Sequence, residues 1–255
     1  MRLKAVIEYL GTNYYGWQVQ PDKVTIQGTI EKALLQITCN DIRITGAGRT
    51  DAGVHALGQV ASFDYTGHLD TYRLRYALNS ILDRDIFFRS IEETNPTFDA
   101  RRDAFSKLYR YRIIRGRSPL RRNTAWEYHF SLNVEKMREA AALLQGTHDY
   151  AAFCEAEDPR TSLKVDSIDV SEKFDEVEID VRARGFLYKM VRRIVGVILD
   201  CGRGRIVLET IPKLFSRSKP CQIITAPANG LALIGVDYTQ VSEDNNLRAH
   251  AMKEY

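Results

Sequence analysis

The pattern of hydrophobic and polar positions in the first part of the chain follows the periods of alternating strands and helices. Leu3 to Tyr9 is rich in β-branched and aromatic residues and predicts a strand. From Thr25, apolar side chains recur at helical spacing as far as Ile37, and Thr25 is a suitable N-cap. The same reasoning predicts further strands over 42–45, 59–63 and 86–91 and a second helix over 71–82. This order is that of a split βαβ, or ferredoxin-like, unit.

The remainder of the chain repeats this plan. Strands are predicted over 107–114, 163–170, 176–183 and 231–236, and helices over 134–144, 188–199 and 206–215. Asn133 and Gly146 are typical of the start and the stop of the first of these helices. No low-complexity linker separates the two halves, which favours a fused sheet with a cleft between them.

We therefore predict an α+β fold built from two ferredoxin-like α/β halves, whose antiparallel sheets form a central active-site cleft. The N-terminal half is expected to span 1–100 and to carry the loop that contains Asp51. The C-terminal half is expected to span 101–241, and a polar tail to follow over 242–255.

The composition excludes several classes of protein. Hydrophobic residues make up 44% of the 255 residues, which is enough for a packed core. No run approaches the ~18 apolar residues of a membrane helix, and the N-terminal residues are too charged for a signal peptide. We therefore expect a cytoplasmic protein with no membrane partner. The 4 cysteines show no C-x-x-C spacing and the 5 histidines show no H-E-x-x-H pattern, so no metal is expected.

Charge is distributed unevenly along the chain, although the net charge is only +3. The segment 101–122 contains 9 basic residues and one acidic residue, with three aromatic residues among them. Such a run is either a solvated strand face with ordinary ion pairs or a surface that contacts phosphates and stacks bases. The imbalance of charge favours a polyanionic partner. Within this segment we expect RNA contacts from Arg101, Arg110, Arg115 and Arg117.

The glycine-rich segment Gly46–Val60 carries the strongest candidate for chemistry. Asp51 lies in it between Gly48 and Gly53, and glycines allow a ligand to approach the backbone closely. Arg49 lies two residues earlier, and a nearby positive charge favours the ionised form of a carboxylate. Such a carboxylate is suited to nucleophilic attack on a sugar carbon. The segment matches neither the phosphate-binding loop of NTPases nor the dinucleotide fingerprint. A glycine-rich turn without a function is a simpler interpretation of the segment than a catalytic loop.

The run GAGRTDAGVHALGQVASF closely resembles the signature of the tRNA pseudouridine synthase A family. In that family the Asp of this signature is the catalytic nucleophile, which implies that role for Asp51. The segment FDARRDAFSKLYRY resembles the family's second motif and implies that Tyr109 stacks on the target uracil. The segment FLYKMVRRIVG resembles the third motif and implies that Arg192 pairs with the catalytic Asp, although Lys189 stands where many members carry Asn or His. The resemblance extends over roughly Leu3 to Tyr238.

The resemblance implies the isomerisation of uridine to pseudouridine at positions 38, 39 and 40 of the tRNA anticodon stem-loop. The N1–C1′ bond breaks, the uracil turns and C5 bonds to C1′, so no cofactor is required. The carboxylate can attack C1′ as in retaining glycosidases, add to uracil C6 or remove the C2′ proton, and the sequence leaves these routes open. The resemblance also implies tRNA as the partner and a homodimer in which one tRNA contacts both subunits.

Two arginines are expected to act beside the nucleophile. A base in folded RNA must leave its stack before an enzyme can react with it. Arg49 is the candidate for this step, either as the ion-pair partner of Asp51 or as a group that enters the stack. Arg192 has apolar neighbours, and a partly buried arginine requires a carboxylate, for which Asp51 is the natural candidate. The aromatic cluster Tyr14–Gln18 and His55 are interpreted as structural.

Three alternatives remain open on the sequence. A non-catalytic RNA-binding protein would share the basic strands and aromatic residues, but it would leave Asp51 without a role. A hydrolase of nucleosides or damaged bases would release uracil and would require a second essential carboxylate in the cleft. A synthase of the same family with a different RNA site preference would share all the motifs.

Overall fold

The computed structural model describes residues 1–156, 160–216 and 222–238, and this part of the chain contains ten strands and five α-helices. The strands are β1 (Arg2–Tyr9), β2 (Thr45–Gly46), β3 (His55–Asp64), β4 (Ile86–Glu93), β5 (Ser106–Arg115), β6 (Trp126–Tyr128), β7 (Gly146–Asp149), β8 (Ser162–Lys173), β9 (Glu176–Ala183) and β10 (Leu231–Asp237). The helices are α1 (Ile26–Thr38), α2 (Thr71–Ile81), α3 (Val134–Leu144), α4 (Met190–Gly202) and α5 (Ile211–Leu214). Short 3-10 turns lie at Gly11–Asn13, Ala151–Phe153, Leu208–Thr210 and Ala228–Gly230.

All ten strands belong to one sheet, whose main path runs β4-β1-β3-β10-β5-β9-β8-β7, with β2 on β3 and β6 on β5. The central strand is β10, which comes from the C-terminal end of the described chain. It pairs in parallel with β3 of the first half and antiparallel with β5 of the second half. The predicted α+β class and the fused sheet are therefore confirmed. The boundaries 1–100 and 101–241 stay a prediction, and the predicted tail 242–255 lies outside the described residues.

The core lies between one face of this sheet and the helices. In β1, alternate residues from Leu3 to Tyr9 are buried, and register places their neighbours on β3 on the same face. In β5, the buried alternation runs through Tyr109, Tyr111 and Ile113. Apolar residues of all the long helices join these side chains in a single cluster that spans both halves. None of the described helices is long and apolar enough to cross a membrane.

Three predicted elements differ from the observed ones for local reasons. The strand expected over 42–45 is reduced to the two residues of β2. The strands β6 and β7 were not predicted because β6 has only three residues and β7 has no apolar side chain to form an alternating pattern. The helix expected from 188 begins only at Met190, because Lys189 has a φ of 60° and lies in the left-handed region. The helix expected over 206–215 is a 3-10 turn followed by α5, whose early Pro212 lacks the amide hydrogen that a continuous helix requires.

Helix α4 is closely covered by the segment before β10. A Cβ atom added to Gly196 would lie 2.1 Å from the carbonyl oxygen of Ile224, a separation that real Cβ atoms do not show. The backbone amide of Ala226 donates to the carbonyl oxygen of Arg192, one turn earlier in α4, at 3.1 Å. The glycine therefore allows residues 224–226 to lie directly against the first turns of the helix.

We expect Gly196→Ala to lower the free energy of unfolding by about 2 kcal/mol, because the added methyl group overlaps backbone that cannot move without loss of packing. Urea denaturation measures this change. Gly235→Ala is the matched control, since a Cβ atom there meets no heavy atom within 4 Å. Equal stability of the two variants would show that the segment over α4 is free to shift.

Candidate active site in the central cleft

A cavity of about 790 Å³ opens where the two halves of the fold meet. Its walls come from the glycine-rich loop before β3, the first residues of β5 and the segment that leads into α4. Four of the side chains predicted from the sequence line it together: Asp51, Arg49, Tyr109 and Arg192. Arg101 lies at the same cavity, whereas Arg110, Arg115 and Arg117 do not line it.

The loop that carries Asp51 is held by the N-terminal segment of the chain. The amide of Trp17 donates to the carbonyl oxygen of Thr50 at 3.1 Å, and the amide of Gly53 donates to the carbonyl oxygen of Tyr14 at 3.2 Å. Gly16 has a φ of 82°, and a Cβ atom there would lie 2.4 Å from the oxygen of Thr50. The aromatic cluster near the N-terminus therefore supports the loop, in line with its structural interpretation.

Asp51 forms its ion pair with Arg192, from the other half of the molecule. The Nη1 atom of Arg192 donates to Oδ2 of Asp51 at 3.1 Å, and the two side chains are 14% and 19% exposed. The Nε atom of the same guanidinium donates to the carbonyl oxygen of Ala226 at 2.7 Å. Because its two nitrogens are fixed by separate acceptors, the planar guanidinium holds the carboxylate in one orientation.

Arg49 has a different environment from that of Arg192. Its side chain is exposed and lines the cavity, and within the described part of the chain it forms no ion pair. Two roles were considered for Arg49, and the first was to pair with Asp51. In the structure Arg192 forms that ion pair. Entry into the RNA stack, which requires an exposed and unpaired cation beside the nucleophile, stays a prediction.

Tyr109 forms part of the cavity floor and is almost completely buried, with 6% of its surface exposed. The ring of Phe186 lies edge-on to it, with 5.2 Å between ring centroids and an interplanar angle of 89°. Burial raises the pKa of the Tyr109 phenol, and the charges of Tyr9 and Asp51 add to the effect. The phenol is therefore neutral at ordinary pH. Tyr111, two residues further along, donates its hydroxyl hydrogen to the carbonyl oxygen of Pro227 at 2.9 Å and is a core residue.

A buried polar network beneath the loop was not anticipated from the sequence. The hydroxyl of Tyr9 lies 2.8 Å from Oγ1 of Thr50, the residue before Asp51. The side-chain nitrogen Nε2 of Gln59 donates to the carbonyl oxygen of Gly48 at 2.9 Å and to the hydroxyl of Tyr9 at 3.4 Å. Gly48 and Thr50, the residues on either side of Arg49, are thus attached to the sheet. In the sequence Tyr9 is an ordinary strand residue, and only the contact of its hydroxyl in the structure shows that it supports the loop.

His55 lies four residues after Asp51, and both of its ring nitrogens are used in contacts that hold the fold. Its Nδ1 atom accepts from the amide of Gly11 at 2.9 Å, and Nε2 lies 3.1 Å from the carbonyl oxygen of Asn229. Burial lowers the pKa of His55. Both ring nitrogens of the neutral imidazole are therefore occupied, which agrees with the structural interpretation.

The basic run divides into compensated and uncompensated arginines. Arg110 donates to both carboxylate oxygens of Asp180, at 2.7 and 2.8 Å, and Arg115 pairs with Glu172. The Arg110–Asp180 pair joins the neighbouring strands β5 and β9 on the sheet face opposite the core, whereas Arg115 and Glu172 lie on β5 and β8, with β9 between them. Arg101 and Arg117 are exposed and form no ion pair among the described residues.

Lys107 is a second residue that the sequence analysis did not single out. Only 8% of its surface is exposed, it lines the cavity, and its Nζ atom donates to the carbonyl oxygen of Arg184 at 2.9 Å. Burial lowers the pKa of Lys107 to about 8, and the positive charges of Arg101 and Arg184 act in the same direction. A signal was present in the sequence, since Lys107 precedes Tyr109 by two residues and so shares its strand face.

The cavity contains many cations and few acids. Among the described residues that line it, Asp51 is the single carboxylate. Within residues 1–156, 160–216 and 222–238, no three His, Cys, Asp or Glu side chains form a group that could hold a metal ion. The chemistry that this site offers is that of one oriented carboxylate beside a buried aromatic ring.

Comparison with known proteins identifies the family. A family model described as tRNA pseudouridine synthase matches residues 5–101 and 140–239. The chain is 43% identical over 243 residues to tRNA pseudouridine synthase A of Moorella thermoacetica, which covers 92% of this chain and 99% of the relative. It is 41% identical over 244 residues to the protein of that name from Geotalea uraniireducens, and the alignment covers 93% of this chain and 99% of that relative. It is 40% identical over 238 residues to the protein of the same name from Thermoanaerobacter sp. (strain X514), and the alignment covers 91% of this chain and 98% of that relative.

The matched residues include the Asp51 loop in the first segment and the Arg192 helix in the second. Similarity over nearly the whole length of the relatives agrees with the fused sheet and with the cleft between its halves. The chain belongs to the tRNA pseudouridine synthase family.

Proposed function

We propose that this protein converts uridine to pseudouridine at positions 38, 39 and 40 of the tRNA anticodon stem-loop, with Asp51 as the nucleophile. The observation that carries the proposal is the ion pair between Asp51 and Arg192 at the cavity that Tyr109 also lines. The family matches support tRNA pseudouridine synthesis as the activity. The positions on the tRNA follow from the family resemblance.

Each of these residues has a role in the proposed reaction. Tyr109 provides a flat apolar surface for a flipped-out uracil, and its neutral phenol does not repel the ring's carbonyl oxygens. Arg192 directs one oxygen of Asp51 into the cavity, where the sugar carbon of the bound nucleotide is attacked. Arg49 extends from the same loop and fills the position in the RNA stack that the base has left. No redox change occurs, so the chain's own side chains are sufficient for the isomerisation.

The detached uracil must be retained until C5 has bonded to C1′. A cavity lined on one side by buried side chains such as Tyr109, Leu187 and Met190 limits the entry of water during this interval. A hydrolase would instead use a second carboxylate to activate water. The described lining residues provide only Asp51, which favours an isomerase over a hydrolase. A pure RNA-binding protein would have no use for a carboxylate in this position.

The resemblance also suggests the assembly in which the protein works. The proposal includes a homodimer and a cytoplasmic location. One tRNA is far larger than the cleft of a 29.1 kDa chain, which favours contacts from a second subunit. Sedimentation equilibrium, without and with tRNA, measures the number of subunits directly.

Asp51→Asn is expected to reduce pseudouridine formation by more than ~10³-fold while tRNA affinity is retained, because the amide keeps the size of the side chain but not the nucleophilic oxygen. The measurement is site mapping of pseudouridine on unmodified tRNA transcripts. Asp64→Asn serves as the control, since Asp64 is an exposed carboxylate paired with Arg2. Modification at other positions by the wild-type protein would revise the site preference, and full activity of Asp51→Asn would refute the nucleophile.

Arg192→Lys is expected to lower kcat by about 10²-fold with little change in tRNA affinity. One ammonium group cannot reproduce the two fixed contacts of the guanidinium, to Asp51 and to Ala226, so the carboxylate loses its orientation. Single-turnover kinetics with saturating enzyme measures the effect. A variant that lost affinity instead of rate would place Arg192 in RNA binding.

Arg101→Gln and Arg117→Gln are each expected to weaken tRNA binding and to reduce the slope of log K against log salt by about 1, because each exposed guanidinium neutralises a phosphate. Arg110→Gln and Arg115→Gln should change this slope less, since carboxylates already compensate those charges. Salt titrations of tRNA affinity compare the four variants. Equal slopes for all four would mean that the carboxylate partners release their arginines when RNA binds.

A further inference from the structure

Lys107 is a buried cation that the proposed roles of Asp51, Arg192 and Tyr109 leave unused. Its Nζ atom carries three donors, and one of them is directed to the carbonyl oxygen of Arg184. The described part of the chain offers the other two no acceptor and places no carboxylate oxygen within 4.0 Å. Burying an ammonium without a carboxylate is costly, so such a group is more often retained for a function than for stability.

The position of this cation is fixed by the fold. The side chain extends along the glycine-rich loop, since a Cβ atom on Gly48 would lie 3.3 Å from its Cε atom. Strand geometry sets Lys107 about 7 Å from Tyr109 on the same face of β5. A uracil stacked on Tyr109 with its sugar at Asp51 therefore has Lys107 at the edge of the ring.

Negative charge must appear on the uracil during the reaction. When C1′–N1 breaks, its electron pair remains on N1 and spreads to the O2 and O4 oxygens. Attack of Asp51 at C1′ and removal of the C2′ proton both release this anion, and addition to C6 produces an enolate at O4. On the C1′ route, C5 then bonds to C1′ and displaces the Asp51 carboxylate; C5 loses its proton and N1 gains one from solvent, so the net change is an isomerisation.

We infer that Lys107 is a catalytic residue that stabilises the uracil anion by donating hydrogen bonds from Nζ to a ring carbonyl oxygen. This inference rests on the proposed function and deepens it. The lysine remains protonated throughout and transfers no proton. Its contribution is the kind made by an oxyanion hole, a donor held in advance where charge develops and where water is scarce. It acts whichever of the three routes Asp51 follows.

A cation at this place has an alternative use, which is to bind a phosphate of the RNA. The two roles differ in what they change. A phosphate ligand contributes to the bound ground state and so to tRNA affinity, whereas a ligand of the uracil anion contributes only when the bond breaks. Enclosure of the ammonium in the cavity, beside Tyr109, favours the second role over the first.

Lys107→Gln is expected to lower the single-turnover rate by about 10²-fold, with tRNA affinity changed by less than about 3-fold. Lys107→Arg, which keeps the charge, should retain more of the rate than Lys107→Gln. Lys136→Gln, on the exposed face of α3, is the control for a surface lysine. Thermal unfolding of each variant separates a loss of rate from a loss of fold.

The decisive test changes the leaving group. Transcripts with 5-fluorouridine at the target position carry a base whose anion is stabilised by the fluorine, so they depend less on an external cation. The rate defect of Lys107→Gln should shrink from about 10²-fold to less than about 10-fold on this substrate, followed as the loss of 5-fluorouridine from nuclease digests. An equal defect on both substrates, or a defect in affinity alone, would overturn the inference.

The pH dependence provides an independent signature. The groups around Lys107 are Arg101, Arg184, Asp51 and Tyr109, and the two arginines stay charged at every accessible pH. The wild-type rate is expected to fall as the pH rises above about 8, where the ammonium loses its proton, and Lys107→Arg should abolish this fall. A fall that persists in Lys107→Arg would contradict the role.

These results also separate the inference from the proposed function. If the wild-type protein forms no pseudouridine, the proposed function fails and the Lys107 experiments lose their basis, whereas full activity of Asp51→Asn removes only the assignment of the nucleophile. If Asp51→Asn is inactive while Lys107→Gln matches the wild type in rate, only the role of Lys107 is wrong.

Discussion

The ion pair between Asp51 and Arg192 can form only when both halves of the fold are in place. Asp51 belongs to a loop between β2 and β3, and Arg192 to the first turn of α4, 141 residues later. Each partner is attached to its own half by backbone contacts, to the segment Tyr14–Trp17 for the loop and to Ala226 for the arginine. Because both side chains are mostly buried, removing one partner would leave the charge of the other without its partner in the cleft. The position of Asp51 relative to Arg192 therefore depends on the alignment of the two halves.

Strand β10 makes this constraint possible. It enters the middle of the sheet from the far end of the described chain and pairs with both β3 and β5. The strand that follows the Asp51 loop and the strand that carries Tyr109 are thereby held at a fixed separation, with one strand between them. The segment before β10 also carries Ala226, the acceptor for Arg192. A flexible link between two separate ferredoxin-like units would provide neither the spacing nor this backbone acceptor.

The sequence predicts the parts of this arrangement that are encoded locally. The periodicity of Leu3–Tyr9 or 176–183 is a local property, so the main strands and helices and the α+β class followed from it. The family resemblance then indicated Asp51, Tyr109 and Arg192 as neighbours, and all three line one cavity. The insertion of β10 between the halves depends on pairing over long distances in the chain, for which periodicity provides no signal.

Other features depend on which atoms meet in three dimensions. A run of basic residues predicts a basic surface, but Glu172 and Asp180 on β8 and β9 compensate two of its members. The sequence likewise does not show that the hydroxyl of Tyr9 contacts Thr50, or that Lys107 has no carboxylate partner within the described part of the chain. Whether a charged side chain is compensated is decided by its partners across the sheet, and this determines if it serves stability or function.

The balance of charge in the cleft follows the needs of an isomerase. Among the described residues that line the cleft, a single carboxylate, Asp51, lies beside several cations, Arg49, Arg101, Lys107 and Arg192. Attack on a sugar carbon needs one nucleophilic oxygen, and a second carboxylate would help water to compete for the same carbon. Every other charged species that the reaction brings into the cleft, the RNA phosphates and the departing uracil, is an anion. In the proposed mechanism, one oriented acid in this cationic cavity attacks the sugar carbon, and the cations bind the RNA and hold the free base until it bonds again.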